Sequence, residues 1–73
     1  MEEITIHLLK NVRGNVLISK PGTILRAGHE YEAKSNKYGA ISGLCDNGEW
    51  LGVRPEEFEF IKAPEWVREI HNS

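Results

Sequence analysis

The sequence predicts an all-β domain, a small five-stranded barrel followed by a short C-terminal helix. Short segments in which apolar and polar residues alternate have the period of half-buried strands. Turn signals separate these segments, the strongest being Pro21-Gly22 and Asp46-Asn47-Gly48-Glu49. A proline-containing turn at Pro55 precedes the last alternating segment. The predicted boundaries are residues 1–62 for the barrel and residues 63–73 for a helix packed on it.

Each extended segment is recognised by its alternation. In the first segment, Ile4, Ile6 and Leu8 share one face of the strand. Val16 and Ile18 resume the alternation after a turn that contains a glycine, and they predict a second extended stretch. The later extended segments are predicted at residues 29–34, 38–45, 50–53 and 58–61.

A chain of 73 residues makes one domain, near the lower size limit for folding without disulfides or metals.

The turn at residues 46–49 predicts a tight hairpin. Asn-Gly at its two central positions is typical of a type I′ turn, in which both central residues have positive φ. That turn would place Cys45 opposite Trp50, and Gly43 would then lie opposite Gly52. One face of the hairpin would carry Leu44, Leu51 and Val53, and the other would carry Ile41, Cys45 and Trp50. Because both faces are partly apolar, we expect another element to cover the second one.

The C-terminal segment predicts a short helix. Pro64 and Glu65 suit a helix start, since proline needs no N–H there and a negative charge favours the positive end of the helix dipole. Trp66, Val67 and Ile70 would share one face. A helix of about eight residues is not stable alone in water. We therefore expect its apolar face to dock over the second face of the hairpin.

Composition and charge restrict the class of protein. A single cysteine allows no internal disulfide and fits a reducing compartment. The net charge is −2: residues 1–45 carry six basic and four acidic residues, whereas residues 46–73 carry three basic and seven acidic residues. No segment has the length of a membrane span, and the acidic N-terminus lacks the pattern of a secretory signal. These features predict a soluble cytoplasmic protein without a membrane partner.

The sequence predicts no catalytic, cofactor-binding or metal-binding residues. Cys45 has no sequence neighbour that would activate a thiolate, and it is interpreted as a small buried residue. The histidines are far apart and show no zinc-ligand spacing. The glycines are dispersed and form no phosphate-binding loop. A barrel of this size is filled by its own side chains, so we expect a protein that is not an enzyme.

Two groups of motifs carry a resemblance to known proteins. The segment Gly52-Val53-Arg54-Pro55-Glu56-Glu57-Phe58 resembles the Gly-x-x-Pro-x-x-aromatic ending of SH3-like barrels. Ala27-Gly28-His29-Glu30-Tyr31-Glu32-Ala33, together with Asn47-Gly48-Glu49-Trp50, resembles small barrel proteins encoded by phages and prophages. The resemblance covers about residues 16–61 and implies an SH3-like barrel. Val16-Leu17-Ile18-Ser19-Lys20 stands where peptide-binding SH3 domains have an aromatic-rich opening, so binding of proline-rich peptides is not implied.

The first functional hypothesis is a non-catalytic protein-interaction module. The phage resemblance implies an accessory protein that binds and modulates a host protein, or binds a phage protein, as a monomer or a homodimer. Aromatic anchors with an acidic rim would suit a basic partner surface. The predicted surface consists of Trp50, Glu56, Glu57, Glu59 and Trp66. The alternative for each tryptophan is a structural role in the core.

The second hypothesis is a small barrel that binds RNA or DNA. Basic side chains beside an aromatic ring provide the phosphate contacts and base stacking that single strands require. The candidate residues are Lys10, Arg13, Lys34, Lys37 and Tyr38. This patch requires the turns at residues 11–15 and 35–37 to lie together.

Overall fold

The computed structural model describes residues 3–72 and is mainly β. The strands are β1 (Ile4–Leu8), β2 (Val12–Arg13), β3 (Ile24–Leu25), β4 (Glu30–Ser35), β5 (Ile41–Leu44), β6 (Trp50–Val53) and β7 (Phe58–Lys62). A 3-10 turn, Pro55–Glu57, precedes β7, and the helix α1 (Glu65–His71) follows it. The predicted fold class is confirmed at this level, a mainly β domain with one short C-terminal helix.

The larger sheet is open. Its five antiparallel strands have the order β6-β5-β4-β1-β7, while β2 and β3 form a separate two-stranded ladder. The strands β6 and β7 are edges, and no ladder joins them within residues 3–72. The predicted closure into a barrel is therefore not found. Leu25 of β3 and Val67 of α1 are fully buried in the core, so elements outside the sheet supply burial that a closing ladder would otherwise provide.

The core lies on the inner face of the sheet. In β1, Ile4, Ile6 and Leu8 are buried while the residues between them are half-buried, as the alternation predicts. The cluster continues through the other elements by Leu25, Ala33, Ile41, Cys45, Phe58 and Val67. Full burial of one of the larger aliphatic side chains stabilises the folded state by about 1.5–3 kcal/mol. Among the observed contacts, burial of this cluster contributes most to the free energy of folding.

The predicted register of the β5–β6 hairpin is wrong by one residue. Ile41 pairs with Val53 and Gly43 pairs with Leu51. The N–H of Gly48 donates to the carbonyl of Cys45 (2.9 Å), and the N–H of Cys45 donates to the carbonyl of Glu49 (2.8 Å). Gly48 has φ +88°, whereas no non-glycine residue between 3 and 72 has positive φ, so the turn is not type I′.

Two constraints explain the longer turn: the burial of one face of the hairpin and the hydrogen bonds of the Asn47 side chain. The observed register places Ile41, Gly43 and Cys45 on the core side together with the half-buried Leu51 and Val53, whereas the predicted register would divide these residues between two faces. The side chain of Asn47 reaches a different part of the chain, where its Nδ2 donates to the carbonyl of Pro21 (3.1 Å) and to Oγ1 of Thr23 (2.9 Å). A local dipeptide signal contains neither of these constraints.

The extended stretch predicted at Val16 and Ile18 is also wrong. These residues lie in a turn within the connection between β2 and β3, which spans residues 14–23. The carbonyl of Asn15 accepts the N–H groups of Ile18 (3.1 Å) and Ser19 (2.8 Å), which curls the backbone. Val16, Leu17 and Ile18 are consequently exposed instead of half-buried.

The helix α1 lies against the loop at residues 36–40. Val67 is fully buried, while Trp66 and Ile70 are about two fifths exposed. A Cβ at Gly39 would be only 2.6 Å from Cγ2 of Ile70, so Gly39 permits this close approach. The ring of His71 lies edge-on to Phe58 and Phe60, with its Nε2 2.6 Å from the carbonyl oxygen of Gly39. The helix therefore docks chiefly through Val67 and its last turn.

Candidate protein-binding surface

Trp50 lies on the outward face of the edge strand β6, opposite Leu44. Its side chain is 38% exposed, so it is not part of the core cluster. The Nζ atom of Lys34 lies 4.4 Å from the centroid of the indole ring, within the range of a cation–π interaction. A shallow groove beside the ring is also lined by Thr5 and Glu32. We call Trp50, Lys34, Glu32, Thr5 and the backbone of Gly52 the Trp50 surface.

The free edge of β6 adds backbone hydrogen-bonding groups to the Trp50 surface. The bond from Cys45 to Glu49 makes that pair a hydrogen-bonded one. Bonded and non-bonded pairs alternate in an antiparallel ladder, so the residue pair Leu44 and Trp50 is non-bonded. The N–H and C=O groups of Trp50 and Gly52 therefore point away from β5. A Cβ at Gly52 would meet no atom of the described residues within 4 Å, so another backbone can approach there.

An ion pair between Glu3 and Lys62 lies at the rim of the groove. Glu3 lines the groove and accepts a hydrogen bond from Nζ of Lys62 (2.8 Å). This hydrogen bond and the positive charge of Lys62 lower the pKa of Glu3 below its ordinary value. Glu3 therefore stays ionised to a lower pH than an unpaired glutamate does. Glu32 is the second carboxylate that lines the groove, and Lys34 lines it as a cation.

The other residues of the predicted protein-binding surface lie on different elements. Glu57 accepts the N–H of Arg54 at its Oε1 (2.8 Å), so it stabilises the 3-10 turn. Glu56 is exposed in the same turn, and Glu59 is exposed on β7. Trp66 is 41% exposed on α1. The groove at Trp50, as far as residues 3–72 define it, contains none of these four residues.

The residues of the predicted nucleic-acid patch are divided between two ends of the sheet. Lys10 follows β1 at the end where Leu8 bonds to His29, beside the start of β4. Arg13 lies in β2. Lys34 and Lys37 lie at the other end of β4, where Lys34 contacts Trp50 and Nζ of Lys37 is 5.1 Å from the ring centroid of Tyr38. Tyr38 is exposed. The contact between Lys34 and Trp50 could not be predicted from the sequence, because it depends on the pairing registers of both β4–β5 and β5–β6.

Two features of residues 3–72 concern covalent and metal-assisted chemistry. Burial is the main cause that raises the pKa of the Cys45 thiol, and the nearby charges of Asp46 and Glu49 raise it further against a smaller opposing effect of a backbone hydrogen bond at Ile24. The thiol is therefore kept in its unreactive protonated form. Residues 3–72 contain no group of three or more histidine, cysteine, aspartate or glutamate side chains that could hold a metal ion.

Within residues 3–72 no helix is long and apolar enough to cross a membrane. No protein-family model, curated protein or solved structure matches this chain.

Proposed function

We propose that this chain is a non-catalytic protein-interaction module whose main binding site is the Trp50 surface. The observation that carries the proposal is the position of Trp50, a large aromatic side chain held partly exposed at a free sheet edge. Tryptophan is enriched among residues that dominate binding energy at protein interfaces. A structural tryptophan in a small domain would instead be expected inside the core.

The proposed mode of binding is the addition of a strand. A partner segment in extended conformation pairs with the outward N–H and C=O groups of Trp50 and Gly52, while its side chains contact the indole. Glu3 and Glu32 then favour a segment with a lysine or arginine. Lys34 has to leave the indole or stay stacked beneath it, so the positive charge of the partner is expected nearer the two glutamates. Glu56, Glu57, Glu59 and Trp66 belong to the proposal as a separate, peripheral contact region.

The finer fold and the origin of the protein are also proposals. An SH3-like arrangement is supported by the long connection between β1 and β4, which carries the β2–β3 ladder, and by the Pro55–Glu57 turn before the last strand. The resemblance of residues 27–33 and 47–50 to phage-encoded proteins supports an accessory role in a bacterial cytoplasm, where the partner is a host or phage protein.

Affinity capture with matched variants tests the proposed function. The wild-type protein, Trp50→Ala and the control Tyr38→Ala are immobilised, and proteins captured from a bacterial lysate are quantified. Tyr38 is a more exposed aromatic residue in the turn between β4 and β5, so it controls for nonspecific binding by an exposed aromatic ring. A protein captured by wild type and Tyr38→Ala but lost with Trp50→Ala supports the proposal. A capture profile that Trp50→Ala leaves unchanged contradicts the assignment of the site, and the double variant Glu56→Lys, Glu59→Lys then tests the peripheral region.

A further inference from the structure

The connection between β2 and β3 contains a strongly exposed apolar turn. Val16, Leu17 and Ile18 are 89%, 88% and 85% exposed, more than any other large apolar residue among those described. We call residues 15–19 the arm tip. Single exposed apolar residues are common on protein surfaces. Exposing three consecutive aliphatic side chains to water at one turn is unusual, because their hydration is unfavourable.

The arm tip is an ordered projection held by its own hydrogen bonds. Oδ1 of Asn15 accepts the N–H of Leu17 (2.8 Å), and the carbonyl of Asn15 accepts those of Ile18 (3.1 Å) and Ser19 (2.8 Å). A Cβ at Gly14 would be 2.5 Å from Oγ of Ser19, so the base of the tip is closely packed. Three consecutive N–H groups thus have partners inside the tip, which lowers the cost of moving the segment into a low-dielectric medium.

The chain segment that carries the arm tip is basic. Residues 4–29 contain Lys10, Arg13, Lys20 and Arg26 but no acidic residue, whereas the rest of the chain has eleven acidic and five basic residues. Arg13, Lys20 and Arg26 line one groove together with Val16 of the tip. Lys20 also pairs with Glu49 (3.7 Å), so Arg13 and Arg26 carry most of the positive charge of this groove.

We propose that the arm tip inserts into the surface of an anionic phospholipid bilayer, with Arg13 and Arg26 against the lipid phosphates. Successive residues of a helical turn are separated by about 100°, so the three aliphatic side chains point in different directions. Fluid acyl chains can surround all three, whereas one protein pocket would contact only part of the tip. Leucine and valine are also under-represented among the dominant residues of protein interfaces.

This contact differs from a membrane span, and it revises the sequence-based expectation of a protein without a membrane partner. The tip enters only the interface of one leaflet, and the positive groove is attracted to anionic lipids such as those of the cytoplasmic leaflet. The site is separate from the Trp50 surface, so each can be tested without the other.

Vesicle sedimentation tests the proposal. Wild-type protein is mixed with vesicles of phosphatidylcholine alone, or of phosphatidylcholine with phosphatidylserine, at low and at physiological salt. We expect binding only to the anionic vesicles and a weaker interaction at higher salt. Leu17→Ser should weaken binding about tenfold or more, since the side chain is no longer buried in lipid. Arg13→Gln and Arg26→Gln should each weaken it about fivefold, the effect of one basic residue at an anionic surface.

Two matched controls separate the arm tip from general effects. Ile61→Ser makes a comparable change at an exposed residue of β7, and Lys37→Gln removes a charge at the other end of the sheet; both should bind as wild type does. Thermal unfolding of every variant verifies that it is folded. Failure of the wild type to bind anionic vesicles at low salt overturns the proposal. Equal binding by Leu17→Ser and wild type also overturns it, because adsorption would then be by charge alone.

Insertion itself has a separate readout. A polarity-sensitive dye on Leu17→Cys should shift to shorter emission wavelength with anionic vesicles, while the buried Cys45 is protected from labelling in the folded protein. An unchanged spectrum with bound vesicles would show that the tip stays in water, and the proposal would be wrong.

Discussion

Gly43→Ala is expected to destabilise the protein because it adds a methyl group to a filled core. Gly43 lies on the inner face of β5, where a Cβ would be 2.7 Å from Cδ1 of Leu25 and 3.3 Å from Cδ1 of Ile6. Optimal carbon–carbon contacts lie at about 3.5–4.0 Å. Leu25 and Ile6 are both fully buried, so neither can rotate into solvent. Overpacking of this kind costs about 1–3 kcal/mol.

The magnitude can be isolated by a control in the adjacent strand. Gly→Ala in a strand gains about 0.5–1 kcal/mol from the backbone when there is space, which offsets part of the loss at Gly43. Gly52 faces outward with open space, so Gly52→Ala should show that gain alone. The two variants should therefore change the free energy of unfolding in opposite directions. The predicted type I′ register would have placed these glycines opposite each other, on one face.

Urea unfolding followed by circular dichroism measures both variants. In this size range, 1 kcal/mol corresponds to a shift of about 4–8 °C in Tm, which gives a second measurement. Leu25→Val should cost less in the Gly43→Ala background than in wild type, because it removes the overlapping methyl group. Equal effects of Gly43→Ala and Gly52→Ala, within about 0.5 kcal/mol, would refute the assignment of Gly43 to the core.

Three further predictions address the helix, the turn and the titratable groups. Val67→Ala should lower the free energy of unfolding by about 2–3 kcal/mol, because it leaves a cavity and loosens α1; a loss below about 0.5 kcal/mol in urea unfolding would contradict its burial. Asn47→Ala should cost about 1–2 kcal/mol by the same measurement, since Thr23 and the carbonyl of Pro21 lose a donor, whereas a neutral effect would mean that the turn does not depend on them. The lowered pKa of Glu3 contributes stability that is present above the ordinary carboxyl pKa and is lost as pH falls through the lowered value. Lys62→Gln should therefore reduce the acid-side dependence of Tm slightly, and an unchanged pH profile would show that this exposed pair contributes nothing.

The hairpin shows why a correct turn position does not determine a register. The glycine at position 48 was correctly placed in the turn, and its positive φ was expected. The choice between a two-residue and a three-residue loop depended on Asn47, whose side chain bonds to residues more than twenty positions away. It also depended on keeping Leu51 and Val53 on the same side as Ile41. Both are long-range conditions.

The candidate site was predictable only in part. The sequence left two roles open for Trp50, a core residue or a binding anchor. The structure places it, partly exposed, at the edge of the sheet. Its neighbours Lys34 and Glu32 come from β4 and Thr5 comes from β1, so their proximity to Trp50 of β6 follows from strand pairing alone. Val16 and Ile18 show the opposite case, where an alternating pattern has no strand because no neighbour pairs with it.

The amino-acid sequence by itself determined the mainly β class, the alternating buried face of β1, the turns at residues 21–22 and 46–49 and the short C-terminal helix. These features depend on residues that are neighbours in the chain: side-chain period, proline geometry and glycine freedom. Only the tertiary structure decided that the sheet stays open, which residue opposes which, and that Trp50 and the arm tip face solvent. Those outcomes depend on competition among distant segments for the same buried volume, and no local pattern contains the result of that competition.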